Sequence, residues 1–423
     1  MDFYCDYDVV VIGGGPAGLL AAGRAASMGV KVILLEKMEK PARKLRITGK
    51  GRCNITNVKP KDDFFNSISP EPQFLTNAFE SFFHKDIIAL LNNQGVETVV
   101  ERGQRVFPRS GKAWDVAEGL IKWAKSNGVV VSNFSQVTEL IKQDNRVKGV
   151  KYINTKTSEV KAVTAKVVIV ATGGKSYPAT GSTGDGYRFA QQANHRISKL
   201  FPALTGIETN PVLYRAVGLN LRNIQLSLFV DNDIVQQEFG ELDIAEYGFE
   251  GPVVLKISRK AIEAFISKRK VELVLDLKPA LSTQKLENRI IREIESNSNK
   301  GFLFLLKQLL PSGLVPFFIK HMGVNPQAKL ITLSVNDRKR LTGCLKNIKF
   351  EVVGYRDWEE AIITAGGVLT KEIDPLTMES KLIDGLFFAG EVIDVDGNTG
   401  GYNLQIAYST GWLAGESAAR KIT

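Results

Sequence analysis

The sequence predicts an α/β protein: a Rossmann-like nucleotide-binding domain split in sequence, with a mixed α/β second domain inserted into it. Three observations predict it. The chain opens on a run of β-branched residues that ends in a glycine turn and a helix of small residues. A second apolar strand running into glycines recurs at residues 167–174. From about residue 200 to 350 there is no glycine fingerprint, and after it the chain returns to strand, glycines and helix.

Asp8-Val9-Val10-Val11-Ile12 has the pattern of a buried parallel strand. It ends in GGGPAG, giving Gly13-x-Gly15-Pro16-Ala17-Gly18, and small residues at 21, 22, 25 and 26 suit a helix packed closely on a sheet, stopped by Gly29. Gly13 permits the tight turn, Gly15 lets a pyrophosphate approach the backbone, and Gly18 lets helix and strand pack. The helix N-terminus offers N–H groups and partial positive charge to the phosphates. A second strand, residues 31–35, ends at Glu36 and Lys37. The acid is placed to accept from ribose hydroxyls and would repel a 2′-phosphate. A lone glycine fingerprint is weak, but here strand, turn, helix, strand and acid fall in order.

The chain then enters EKMEKPARKLRITGKGRCNITN, too glycine-rich and basic for a helix and too irregular for a strand. Gly49 and Gly51 allow close backbone approach, Lys44 and Arg52 offer charge, and Thr48 and Asn54 offer short polar groups. Such a loop suits a ligand larger than adenosine, as FAD is. Residues 167–171 read as a buried strand, with Thr172-Gly173-Gly174 turning beside the cofactor. Residues 386–389 read as another, ending in Gly390-Glu391, with Asp394 a partner for ribityl hydroxyls. Gly400-Gly401-Tyr402-Asn403-Leu404 opens a helix whose N–H groups would face the flavin or the pyrophosphate. Cys53 reads as a packed or flavin-contacting thiol, because no partner cysteine is near.

Three blocks together resemble a family of bacterial flavoproteins called BaiN-like or aminoacetone-oxidase-like: PARKLRITGKGRCNITN, close to that family's GRKLxxSGGGRCNxTN; VVIVATGGKSYPATGSTGDGYRFA; and ITAGGV with DPLTMESKLIDGLFFAGEVIDVDGNTGGYNLQIAYSTGWLAG. The resemblance implies a glutathione-reductase-type FAD domain carrying a β-meander, with a backbone contact from Val137 to adenine. It implies an FAD-dependent oxidoreductase, in one branch a reductase of unsaturated steroid-type substrates and in another an oxidase of small amines such as aminoacetone. Hydride would pass between a small organic substrate and flavin N5, and because no second glycine fingerprint exists to build an NAD domain, the electron partner is either NAD(P)H bound transiently or oxygen or another acceptor that reoxidises the flavin. Arg52, Asn54 and Tyr402 are the candidates for the substrate side. The chain departs from the family at a loop near FTHxGxSGP, where it has IAEYGFEGP: Glu246 and Glu250 replace the usual His and Ser.

The expected division is 1–198 for the first part of the FAD domain, 199–352 for the insert on the substrate side and 353–423 for the rest. Residues 60–125 are expected as helices and loops, and short strands at 129–131, 137–141, 146–153 and 161–163. Of the 423 residues 44% are hydrophobic and 24% charged, an ordinary globular balance. No membrane span and no signal peptide are expected. The three cysteines form no CxxC, which argues against disulfide and zinc frameworks and points to the reducing cytoplasm. No metal site is expected, nor a catalytic role for His195, and no HExxH or GxSxG occurs. The net charge of +10 leaves room for a flavin-bearing RNA-binding or scaffold protein. No nucleic-acid motif accompanies it, so a nucleic-acid partner is not the expectation.

Overall fold

Val9, Val10 and Val11 have no exposed surface, as strands covered on both faces must, and a computed structural model of residues 5–423 shows how they are covered. The strand Tyr7–Ile12 lies in a seven-stranded sheet between Val32–Leu35 and Val160–Val170, parallel to both, with Val9 opposite Val32 and Val167. Val130–Ser132 extends the sheet beyond Val32–Leu35, and Leu386–Phe388 joins it parallel to Val160–Val170. The helix Pro16–Ser27 packs on the C-terminal helix Tyr402–Arg420. Their backbones approach so closely that a Cβ at Gly411 or Gly415 would stand 2.3 or 2.2 Å from the carbonyl oxygens of Ala17 or Ala21. Arg24 and Glu416 pair across the two helices at 2.8 Å.

Two expectations change here. The strands expected at 161–163 and 167–171 are one, Val160–Val170: its first half pairs antiparallel with Arg146–Asn154 and its second half enters the parallel sheet. No glycine, proline or asparagine stands between the halves to turn the chain, and Ala165 is fully buried. Residues 60–125 are not helices and loops alone, since Thr98–Glu101 and Arg105–Pro108 form an antiparallel hairpin to which Thr56–Asn57 adds an edge.

The chain divides into two compact units, one running to Phe201 and resuming at Ile362, the other Pro202–Ala361. The second unit is a closed antiparallel barrel in the order Ile207–Asn210, Gly248–Glu250, Asp233–Ala245, Asn220–Val230, Val271–Asp276 and Ile348–Tyr355. Phe249 and Phe350 meet edge to face in its core, with ring centroids 4.7 Å apart. Helix Pro252–Ile266 packs on the barrel. The helices Thr283–Ser296, Phe302–Leu309, Val315–Met322 and Val335–Lys346 lie in sequence between the last two strands. The boundary expected after residue 352 falls inside the strand Ile348–Tyr355. That strand pairs with Glu272–Leu275 on one side and with Ile207–Asn210 on the other, so it closes the barrel and cannot be divided. Among the described residues no helix is long and apolar enough to cross a membrane.

Candidate functional site

The three fingerprint glycines have different reasons to be glycine. At Gly13, φ is 101°, and a Cβ would stand 2.6 Å from the carbonyl oxygen of Ala171. At Gly18 a Cβ would stand 1.9 Å from the carbonyl oxygen of Gly13. Gly15 is otherwise: its backbone is extended (φ −72°, ψ 180°), and a Cβ there would meet nothing within 4 Å. Open space therefore lies over the N-terminus of the helix Pro16–Ser27, which no side chain caps. An uncapped N-terminus with a bare approach to its backbone is a cradle for an anionic group, and Pro16 and buried Ala17 form its first turn.

Glu36 is buried beside this turn. Its Oε2 accepts from the Gly14 N–H and its Oε1 from the Met38 N–H, each at 2.8 Å. Burial raises its pKa, and the backbone donors oppose that. The carboxylate thus shapes the turn, while each oxygen keeps acceptor capacity for a ribose hydroxyl. The Ser135 N–H donates to the Glu36 carbonyl at 2.8 Å, which brings the strand of buried Val137 alongside. Lys37 pairs with Asp185 at 2.7 Å and also donates to Thr183.

The basic stretch is more ordered than its composition suggests. Arg43–Ile47 forms a short helix, and Thr48–Gly51 a tight turn in which Gly49 and Lys50 are left-handed. The Thr48 hydroxyl is spent locally, donating to the Leu45 carbonyl at 2.7 Å. Arg52 pairs with Glu101 and lies over the Phe107 ring, 4.4 Å from its centroid. Cys53 is fully buried, which pushes its thiol up to about 12 against a weaker hydrogen bond with Thr48. A packed thiol fits this environment; a redox thiolate does not. Oriented to satisfy both neighbours, the Asn54 amide accepts from the Gly401 N–H and donates to the Thr56 carbonyl, each at 3.1 Å.

Lys44 joins segments far apart in sequence. Its Nζ lies 2.9 Å from Glu391 Oε2 and 2.6 Å from Ser176 Oγ. Glu391 Oε1 also accepts from the Thr364 N–H at 2.8 Å and from Ser176 at 3.0 Å. Thr364 Oγ1 in turn accepts the N–H groups of Lys175 and Ser176, following Thr172, Gly173 and Gly174. A Cβ at Gly174 would stand 2.4 Å from Thr364 Oγ1. Residue-type reasoning singled out Lys44, Gly174 and Glu391 and missed Ser176 and Thr364. Both lie within or beside the glycine blocks, which was the available signal.

Gly390 sits against the nucleotide helix, where a Cβ would be 2.8 Å from that of Ala17, and Asp394 is buried nearby in sequence. Gly401 (φ 96°) caps the C-terminal helix; a Cβ there would stand 2.5 Å from the Thr56 backbone. Gly400, also at positive φ, precedes it. Asn403 pins the preceding loop, accepting from the Gly397 N–H at 2.8 Å and donating to its carbonyl at 2.6 Å. Leu404 is half-buried. Tyr402, expected toward a substrate, packs instead edge-on against Phe64 at 4.8 Å and is 6% exposed. His195 is buried, with Nε2 2.7 Å from Ser380 Oγ and its ring against Phe388. Among the described residues no group of His, Cys, Asp and Glu could hold a metal ion.

Within the barrel unit, the departing loop is a structural corner. Tyr247 donates to Glu250 at 2.8 Å and lies under the Arg356 guanidinium, Gly251-Pro252 starts the next helix, and Glu246 is exposed.

The nucleotide cradle agrees with what the chain is similar to. The family model of the HI0933-like protein Rossmann domain matches residues 7–417. The 3-dehydro-bile acid delta(4,6)-reductase of Clostridium scindens is 28% identical over 414 residues, covering 97% of this chain and 98% of that protein. The ribosomal RNA dihydrouridine synthase of Haemophilus influenzae is 29% identical over 422 residues, covering 97% and 98%. That of Escherichia coli is 28% identical over 414 residues, covering 97% of each. Among solved structures, 3-ketosteroid delta1-dehydrogenase from Sterolibacterium denitrificans in complex with 1,4-androstadiene-3,17-dione superposes with a TM-score of 0.50 at 14% identity. It covers 98% of this chain and 99% of that one, a likeness of fold.

Proposed function

From the premise that the chain belongs to the HI0933-like family and is an FAD-dependent oxidoreductase, we propose that it reduces a carbon–carbon double bond conjugated to a carbonyl, with NAD(P)H as electron donor. The observation that carries the cofactor is Gly15, whose missing side chain faces space that no protein atom fills. The helix N-terminus behind it would hold the pyrophosphate, Glu36 would accept from the adenosine ribose, and Asp394 from the ribityl chain. FAD held there would supply hydride transfer between a donor and an acceptor through one ring nitrogen.

Two features support the choice of reaction. A steroid-type enone and the uracil ring share one motif, a double bond polarised by a carbonyl. Relatives named for reducing the first and for making dihydrouridine from the second thus share one chemistry. In it, hydride goes to the β-carbon and a proton to the α-carbon. The second unit is a barrel with helices and offers no second nucleotide turn, which supports a nicotinamide that binds transiently rather than in a domain of its own. On the substrate side Arg52, with about half of its side chain exposed, is better placed than Tyr402 to meet a carbonyl oxygen, with Asn54 holding the turn beside it. The test is anaerobic: NADH or NADPH bleaches the visible flavin band, and aminoacetone does not. Bleaching by aminoacetone alone, with recovery in air, would establish the amine-oxidase reading in its place.

A further inference from the structure

The turn at residues 48–52 and the hairpin tip at residues 101–107 hold four cations and one acid: Lys50 and Arg52 on the first, Arg102 and Arg105 on the second, against Glu101. Both segments belong to the first compact unit, and they meet on one buried ring. Phe107 lies under the Arg52 guanidinium at 4.4 Å and under that of Arg105 at 5.7 Å, so the two cations stand within about 10 Å of each other. A Cβ at Gly49 would come 4.0 Å from the same ring, which sets the Lys50 turn against it.

The cations around this face are neutralised. Lys59 pairs with Asp63 at 3.4 Å, Arg109 with Glu97 at 2.9 Å and Arg46 with Glu118 at 3.1 Å. Glu101 takes Arg52. Among the described residues Lys50, Arg102 and Arg105 make no ion pair, and all three are exposed. Like charges gathered on one face repel, so keeping them together points to an anionic partner.

The tip is held in place by bonds to other segments. The Asn57 amide donates to the Gly103 carbonyl at 3.1 Å and to the Gly400 carbonyl at 3.2 Å, tying the tip to the cap of the C-terminal helix. The Val58 N–H donates to the Gln104 carbonyl at 2.9 Å, and Arg105 Nε to the Arg102 carbonyl at 3.1 Å. The three unpaired cations thus border the helix cap and the Arg52 turn, which the reading above puts on the substrate side.

We propose that Lys50, Arg102 and Arg105 hold the phosphates of the nicotinamide donor. The inference deepens the reading above and rests on it for the identity of that donor. The chain has no second glycine fingerprint for a second dinucleotide, and the Gly15 cradle beside buried Glu36 accounts for the phosphates of FAD. A donor that docks transiently still brings its pyrophosphate and, in NADPH, a 2′-phosphate. Guanidinium groups bond phosphate oxygens bidentately, and a lysine binds them as a point charge. Phe107 and the Arg102 carbonyl orient Arg105 beforehand, which lowers the entropy lost on binding. A carboxylate on the acceptor is the poorer match, because it would engage one guanidinium where the face offers two and a lysine.

The experiment titrates the flavin-loaded protein with NADP⁺, which binds without reducing the flavin, by calorimetry across a salt series, for the wild type and for R102Q/R105Q. Loss of two phosphate-bonding cations is expected to weaken binding about 10- to 100-fold at low salt and to flatten its salt dependence. In anaerobic bleaching by NADPH the same loss falls on the half-saturating concentration and not on the limiting rate. Flavin content and melting temperature report that the fold is intact, and R102K/R105K, which keeps the charge, recovers part of the affinity. Unchanged affinity and salt dependence in R102Q/R105Q would overturn the proposal. So would a loss confined to the limiting rate, or a wild type that neither binds NADP⁺ nor is bleached by NADPH or NADH. Reoxidation of the photochemically reduced protein by an enone needs no nicotinamide and separates the two readings: its absence sinks the enone reductase and leaves this face standing.

Discussion

Replacing Gly15 by alanine should uncouple cofactor affinity from folding. At φ −72° and ψ 180° the backbone is one alanine adopts without strain, and the added methyl group meets no protein atom within 4 Å. Alanine lowers the entropy of the unfolded chain, which stabilises by about 0.4–1 kcal/mol. It is a poorer helix cap than glycine by about the same amount. The terms nearly cancel, so the flavin-free G15A protein should melt within roughly 2–4 °C of the wild type. The liganded state differs, because the methyl group occupies the space through which the pyrophosphate reaches the helix. Overpacking of about 1–3 kcal/mol corresponds to a dissociation constant for FAD raised about 5- to 150-fold. Gly18→Ala is the contrast: its Cβ falls 1.9 Å from a carbonyl oxygen, and the protein should fail to fold or melt far lower with or without FAD. Flavin-fluorescence titration and thermal melts of the stripped proteins read both quantities. A G15A protein that binds FAD as the wild type does, or whose stripped form is as unstable as G18A, refutes the reasoning.

Other consequences follow from the buried groups. Glu391→Gln removes the charge that holds Lys44 and leaves an acceptor for Thr364 and Ser176. About a fifth of each paired side chain is exposed, so the loss should be about 1–2 kcal/mol, read as a lower melting temperature with weaker flavin retention. Cys53 should stay unalkylated by iodoacetamide at mildly alkaline pH until the chain unfolds, while Cys5 and Cys344, both partly exposed, react; labelling of Cys53 in the folded state contradicts its burial. Burial lowers the pKa of His195, and the nearby Glu372 opposes this only in part. The unfolded chain takes up that proton at the ordinary value near 6.5 and the folded chain resists it, so stability falls as pH drops below about 6.5. His195→Gln should flatten the melting-temperature profile below about pH 6.5, and an unchanged profile would place the acid sensitivity elsewhere.

The nucleotide turn was legible in sequence because its physics is local: a strand, three glycines and an acid lie within thirty residues. The helix at the C-terminus was legible for the same reason, Gly400-Gly401 announcing its start. What stayed hidden depends on contacts between distant segments. Lys44 read as a ligand of the cofactor, yet Glu391, 347 residues on, holds its ammonium. Tyr402 read as a substrate contact, yet Phe64 takes its ring. Thr364 drew no notice within ITAGGV, and the role of its hydroxyl becomes visible only when Lys175 and Ser176 fold over it. The barrel was concealed because its strands are separated by four helices, so no periodicity shows that Ile348–Tyr355 returns to Ile207–Asn210.

The central claim, reduction of a carbonyl-conjugated double bond, is tested most directly by a single turnover. The protein is reduced anaerobically with one equivalent of NADPH and mixed with cyclohexenone, and separately with its saturated counterpart cyclohexanone. The account predicts that the flavin band returns with the enone alone, and that the product is cyclohexanone, heavier by two hydrogens. Reoxidation by neither ketone, with rapid recovery on admitting air, would contradict it.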